Sequence, residues 1–418
     1  FANVLPFDDL HQHHFLLLEK PKNKAFLDST GISWEFWTGD CKALDQKVSD
    51  AKLIELDFWN HPAVMIFLNE CKLKYCNLLV YSFVSGTHSP NILPIELFDF
   101  ADWIIFPGPS SLTSCALPRE KENYSVVFAL GGVDRTKTLE PKIHTGINVA
   151  YIGTAGYQKL HPEFVDMCSS IIENNPEVFF SLASIDSNSH ISEDVNRRKI
   201  GRNFQFFQNI TDISEILCTA DIFGYPLRHD HYGTGEQALL EAMGAGVPPV
   251  VLNNPAERFI VSNQKTGLIA NNTTEYVEAI LRLAGDKSSR KILGKNARRH
   301  AVENFCQQQT CNELQKIYQK ILHEHQPRNR SMQLVQKTVK KNLGWELFLQ
   351  CLGENSVPNK WHNSECPRTR KYWLDKSQKL EYVFSENKGG LRAYLSYFPD
   401  DEVLNQYFRE VSSNHNTE

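Results

Sequence analysis

Short runs of consecutive apolar residues recur along this chain, each followed by a polar or helix-patterned stretch. In the first third they lie at 52–56, 77–83, 103–106 and 125–129. Continuous rather than alternating apolar character predicts strands covered on both faces, as in parallel sheets. The opening reads as a strand at 4–9 and an apolar helix near 13–18, with no glycine turn between them. A polar stretch at 135–146 reads as a linker. A second series follows: strands at 148–152, 178–183, 204–207, 221–225 and 250–252, with helices at 164–173 and 236–245. Gly246 just past the latter helix, with Pro248 beyond, gives the expected stop signals. Amphipathic helices at 273–284, 287–305 and 307–325 complete the series.

Strands alternating with helices on both sides of a linker predict an α/β protein of two doubly wound Rossmann-like domains. The boundaries read as 1–134, a linker at 135–147, 148–326, and a helical extension at 327–418. That extension is rich in Trp and Tyr, and between Arg328 and Lys376 it carries ten Lys and Arg against four Asp and Glu. Three readings stand for it: a helical cap on the domains, a surface for a protein partner or membrane, or a support for a long acceptor. Gly389-Gly390 ahead of 391–398 reads as a turn into a helix whose aromatic face belongs to a core.

Length and composition narrow the picture without deciding it. The 418 residues suit two ordinary domains plus extra material, and 41% hydrophobic with 22% charged is ordinary for a globular chain. A net charge of −5 gives no general electrostatic reason to expect nucleic acid. Ten cysteines without C-x-x-C spacing suggest neither a zinc ribbon nor a disulfide framework, so reduced thiols and a cytoplasmic location are expected. No apolar run reaches the roughly 18 residues of a membrane span. Phe1 stands where a start methionine would, so the chain is expected to begin inside a longer gene product.

The candidate chemistry lies in His231-Tyr232-Gly233-Thr234-Gly235-Glu236 and the helix after it, which carries Glu241. A glycine-bearing loop feeding a helix N-terminus offers backbone N–H groups to an anion. On one helix, residues five apart lie about 140° apart, so Glu236 and Glu241 are expected to do different jobs.

This stretch resembles the donor-binding signature of family-4-like retaining GT-B glycosyltransferases, E-x7-E followed by A-M-x-x-G-x-P-V-V. The match runs through Glu241-Ala242-Met243-Gly244-Ala245-Gly246-Val247-Pro248, then Asn254-Pro255-Ala256-Glu257 and Lys265-Thr266-Gly267, over about 148–305. One departure is plain: eight positions before Glu241 stands Gly233, not glutamate. The resemblance implies a ribose-binding role for Glu241. For the sugar-contacting role of the missing glutamate the candidates are Tyr232, Gly233, Thr234 and Glu236, with Gly235 beside them. The HYGTxE form resembles a bacterial subgroup working in polysaccharide biosynthesis.

On the phosphate side the resemblance implies a cation near the first loop of the second domain. Gly153-Thr154-Ala155-Gly156 followed by Lys159 supplies it, with Arg202 as a second candidate. Acceptor-side candidates are His61, Ser85, Gly86 and His88, the last with a catalytic role. No D-x-D is present, so no metal and no cofactor beyond the nucleotide-sugar substrate are expected. The implied function is sugar transfer, with retention, from a nucleoside diphosphate (UDP or GDP) to a saccharide or other hydroxyl. Two alternatives remain: an inactive binding module of the same fold, and a nucleotide-sugar epimerase.

Overall fold

The computed structural model describes residues 8, 10–21, 24–37, 41–113, 117, 123–127, 132–184, 189–208, 210, 212–231, 233, 235–335, 340–378, 380–384 and 389–415. The chain divides into two compact units, residues 128–313 with Asp8, and residues 9–127 together with 314–418. The expected opening strand at 4–9 falls outside the described residues apart from Asp8.

In the discontinuous unit, β1 (His14–Leu17) and β2 (Ser33–Phe36) pair in parallel. The helix expected at 13–18 is therefore a strand. A run of so few apolar residues carries no usable period, and pairing decided it. His14 faces Ser33 and Glu35 across the pair, at 2.8 and 3.0 Å.

A five-stranded sheet follows, built on β3 (Leu53–Phe58), β4 (Lys72–Ser82), β5 (Trp103–Phe106) and β6 (Tyr124–Val126). Its fifth member is the strand Arg328–Ser331, antiparallel to the first half of β4. The second half of β4 runs parallel to β3 and β5, and Leu78 to Tyr81 are fully buried there. That explains their unbroken apolar run.

The aromatic residues of the C-terminal segment share this unit's core. Trp345, Trp361, Tyr394 and Tyr407, from four separate helices, are fully buried in one cluster with Phe58, Leu78 and Val80. A buried side chain of this size contributes roughly 1.5–3 kcal/mol.

The contiguous unit holds six parallel strands: β7 (Ile147–Ile152), β8 (Val178–Ser184), β9 (Phe204–Gln208), β10 (Ile222–Tyr225), β11 (Pro249–Leu252) and β12 (Leu268–Ala270). Their order is β12-β11-β10-β7-β8-β9, so the winding reverses between β7 and β10. Ligands of such sheets bind outside the strand C-termini at that reversal. The helix Phe164–Asn174 shows how the pattern works: Phe164, Met167, Cys168, Ile171 and Ile172 recur at helical spacing and all are buried. The polar stretch read as a linker opens inside a short helix, Val133–Thr136, which packs on Gly244: a Cβ there would lie 2.6 Å from Thr136 Oγ1. Among the described residues no helix is long and apolar enough to cross a membrane.

Candidate active site

Strand β7 ends next to Gly153 and its neighbour β10 ends in Tyr225, so the loops after them meet at one sheet edge. Tyr151 and Tyr225 stack across the pair at 5.7 Å, and the Tyr151 hydroxyl donates to the Thr154 carbonyl. Gly153 has φ +148°, outside the ordinary range of other residues. A Cβ there would meet the Tyr151 hydroxyl at 3.0 Å and Lys159 Nζ at 3.8 Å. The glycine thus keeps a small space open beside an ammonium group.

Lys159 reaches that place from the following turn, whose backbone bridges Leu160 to Leu227. Its Nζ donates to the Tyr225 hydroxyl at 2.8 Å and lies 3.3 Å from Glu236 Oε2. The Tyr225 hydroxyl in turn donates to the same Glu236 oxygen at 2.5 Å.

Glu236 is not in the helix, as the sequence pattern suggested. The helix is Gln237–Gly244, and Glu236 precedes it in the left-handed region, at φ 37° and ψ 55°. That conformation costs a non-glycine residue roughly 1–3 kcal/mol. It turns the carboxylate back toward the loop, where the side chain is fully buried. A Cβ on Gly233 would overlap Glu236 Oε1 at 1.7 Å. The Glu236 carboxylate therefore fills the space that a side chain at position 233 would take.

Two further buried groups extend the network. His231 Nδ1 accepts from the Gly233 N–H at 3.0 Å and lies 3.7 Å from Glu236 Oε1. Its Nε2 is 3.0 Å from Glu257 Oε1, off the line of a hydrogen bond, and the side-chain exposures of His231 and Glu257 are 3% and 0%. Glu236 Oε1 and both Glu257 oxygens receive no hydrogen bond among the described residues. One atom each of His231, Glu236 and Glu257 lie within 4.8 Å of one another. The imidazole stands between the two carboxylates, Nε2 toward Glu257 and Nδ1, which accepts the Gly233 N–H, on the side of Glu236.

Charge follows from these contacts. Burial would raise the Glu236 carboxyl, but the Lys159 ammonium, His231 and the Tyr225 hydroxyl outweigh it and hold it below its ordinary range. Burial would lower His231, but Glu257 and then Glu236 outweigh it and raise it. Glu241 stands apart from this group. It lies in the helix, buried, accepts from Gln237 Nε2 at 2.9 Å, and is pushed up by burial. A Cβ on Gly132 would come within 2.4 Å of its Cγ.

Of the sequence-derived donor residues, the structure brings Lys159, Gly153, Gly233 and Glu236 together. Thr154 and Gly235 lie in the same two loops. Tyr232 and Thr234 fall outside the described residues. Arg202 does not join them. It lies in the turn Gly201–Asn203 ahead of β9, which in a parallel sheet is the opposite edge, and its Nε donates to Asn203 Oδ1. A strand-leading position in the sequence was enough to exclude it. Tyr225 was missed as a functional candidate, and His231 and Glu257 stood only within matched stretches with no role of their own; polar and charged residues inside apolar or glycine-rich runs were the signal available.

The residues expected on the acceptor side follow the C-terminal ends of β3 and β4 in the other unit. His61 caps the helix Pro62–Glu70, its Nδ1 accepting from the Ala63 N–H, with Nε2 3.6 Å from Glu19. Ser85 is buried and its Oγ accepts from the Thr87 hydroxyl at 2.9 Å; Gly86 has φ +72°. The His88 carbonyl accepts from the Asn91 N–H at 2.7 Å. Asn60, fully buried, holds the same loop by donating to the Pro90 and Ile92 carbonyls at 2.8 and 2.9 Å.

Residues 135–300 match the family model for glycosyl transferases group 1. Spore coat protein SA of Bacillus subtilis is 30% identical over 118 residues, which is 26% of this chain and 29% of that protein. Among solved structures, Anabaena HepE in complex with UDP and glucose is similar with a TM-score of 0.62 at 14% identity, covering 76% of this chain and 94% of that one. Staphylococcus aureus TarM, solved with fondaparinux, alpha-GlcNAc-glycerol and UDP, gives 0.57 at 14% identity, covering 68% and 58%. The pneumococcal O-GlcNAc transferase GtfA, with UDP and GlcNAc, gives 0.54 at 14%, covering 68% and 60%. The fold is GT-B with a helical C-terminal region, and within it residues 135–300 are similar to the glycosyl transferases group 1.

Proposed function

We propose that this chain transfers a sugar from a nucleoside diphosphate sugar to the hydroxyl of a saccharide or similar acceptor, retaining the anomeric configuration and using no metal. The observation that carries the reading is the Lys159–Tyr225–Glu236 group, two of its members fully buried, at the β7–β10 reversal within the matched residues 135–300. In the transfer, the bond from the sugar anomeric carbon to the diphosphate oxygen breaks, a bond from that carbon to the acceptor oxygen forms, and the acceptor's hydroxyl proton passes to the departing diphosphate. The departing diphosphate gathers negative charge, and a preorganised ammonium with loop N–H groups stabilises it. Lys159 and the Gly153–Thr154 turn take that role, Glu241 the ribose, and Glu236 the sugar-side role of the missing first glutamate. Tyr232, Gly233, Thr234 and Gly235 belong to the same donor loop, and His61, Ser85, Gly86 and His88 to the acceptor side.

UDP is the preferred nucleotide, since HepE, TarM and GtfA were all solved with it. A cytoplasmic role in bacterial polysaccharide biosynthesis, with a membrane or protein partner at the basic C-terminal helices, belongs to the same proposal. The test is turnover of UDP-, GDP- and ADP-sugars with a panel of glycan acceptors, with and without EDTA, and the product anomer read by NMR. Transfer with retention, unaffected by EDTA and abolished by Glu236→Ala, is expected. Binding without turnover would instead identify an inactive module. Interconversion of free nucleotide sugars would identify an epimerase.

A further inference from the structure

We infer that Tyr225 is a positioning residue that sets the Lys159 ammonium for the donor diphosphate; this rests on the donor-site reading above. A lysine side chain is long and flexible, and an ammonium aimed at a phosphate must be held by something else. Here two buried groups hold it. The Tyr225 hydroxyl, at the last residue of β10, accepts from Nζ at 2.8 Å and donates its own proton to Glu236 Oε2 at 2.5 Å. Glu236 closes the triangle at 3.3 Å from Nζ.

The phenol is itself immobile. It is fully buried, stacked on Tyr151 at 5.7 Å and on Phe223 at 5.2 Å, within a strand paired on both sides. A strand-borne group is a more rigid anchor than the loop that carries Lys159. Burial and the neighbouring Glu236 keep the phenol protonated, so it remains both donor and acceptor. The triangle opens on Gly153, where the absent side chain leaves space beside Nζ. Tyr225 touches the cation and not the phosphate, so its effect is confined to ligands that carry phosphate.

The experiment is calorimetric binding of nucleoside diphosphates (UDP, GDP, ADP) and of the matching bare nucleosides to the full chain. Wild type is compared with Tyr225→Phe, Lys159→Met and the double variant. Tyr225→Phe is expected to weaken the diphosphate about tenfold, the scale of one hydrogen bond to a charged group. The bare nucleoside is expected to bind as in wild type. In the Lys159→Met background Tyr225→Phe should add nothing. Parallel losses for nucleotide and nucleoside, no loss at all, or additive losses in the double variant would each overturn the role. If wild type bound none of the diphosphates, the donor-site reading itself would fail and the inference with it.

Discussion

Two loops of this molecule follow central strands of their own sheets and are built by different physics. After β10, the loop that carries His231 and Glu236 is surrounded by charge: Glu236 meets Lys159 and the Tyr225 phenol, and His231 lies against Glu236 and Glu257. After β4, residues 83–92 are held by neutral hydrogen bonds, from Asn60 to two carbonyls and within Ser85–Thr87. Both loops carry a central glycine, Gly233 and Gly86. The first has its geometry set by charge balance. A charged loop of this kind responds strongly to loss of one member, since a buried carboxylate left alone is costly. A neutral loop loses only what one hydrogen bond supplies.

The largest expected break of that contrast is Lys159→Ala. It removes the ammonium from the proposed leaving-group site and leaves Glu236 buried without its cation. Catalytic efficiency, measured as kcat/KM for the donor, should drop by about two orders of magnitude or more. Stability should fall by roughly 3–5 kcal/mol in urea melts. A melt equal to wild type would mean that charge does not set this loop. Asn60→Ala comes next, with a loss of about 1–3 kcal/mol for two half-buried carbonyls losing their donor. Nucleotide binding should not change in that variant, and a change would erase the distinction between the loops.

A pH series sharpens the comparison further. The folded value of His231 is raised, so its stabilisation is fully present below its unfolded value near 6.5 and is lost as pH rises through the folded value. Glu236 is lowered, so its share is present above the unfolded value and lost as pH falls through the folded one. The groups facing His231 are Glu236, Glu257 and the Gly233 N–H, with Lys159 opposing its protonation. Urea melts from about pH 6 to 9 should show wild type weakening with rising pH, and His231→Gln should flatten that slope. The smallest effect is expected from Ser85→Ala, under about 1.5 kcal/mol, for two local hydrogen bonds from Thr87, one of them long at 3.4 Å. A rise in the acceptor KM with an unchanged donor KM would support its acceptor-side role.

Much of this fold is legible in the sequence because its strands are doubly covered. Runs such as 77–83 and 103–106 are apolar almost throughout, and they form β4 and β5. The helix Gln237–Gly244 is equally plain from its spacing and stop signals. What the letters do not carry is conformation at single residues. They place Glu236 on the helix wheel, because nothing in them marks a left-handed glutamate; its fully buried carboxylate gives the reason only in three dimensions. Partners far apart in sequence are also hidden. Lys159 and Tyr225 are 66 residues apart, and only the β7–β10 pairing makes them neighbours. The strand at 14–17 is illegible for a different reason, being too short to show a period.

The strand Arg328–Ser331 gives the chain an order of assembly. Arg330 is buried, donates to the Cys76 and Phe100 carbonyls and pairs with Asp102, whose carboxylate also accepts from the Leu78 N–H. The core that begins with β3 and β4 is therefore closed by residues synthesised 254 positions after Cys76. On the ribosome the contiguous unit, 128–313, can complete its sheet first, while the earlier-made strands wait with β4 open along one half. Nascent chains that have exposed the contiguous unit but not yet Arg328–Ser331 are expected to gain protease resistance in 128–313 and not in 9–127. A premature stop just ahead of that strand would then be as damaging to the discontinuous unit as one near the start.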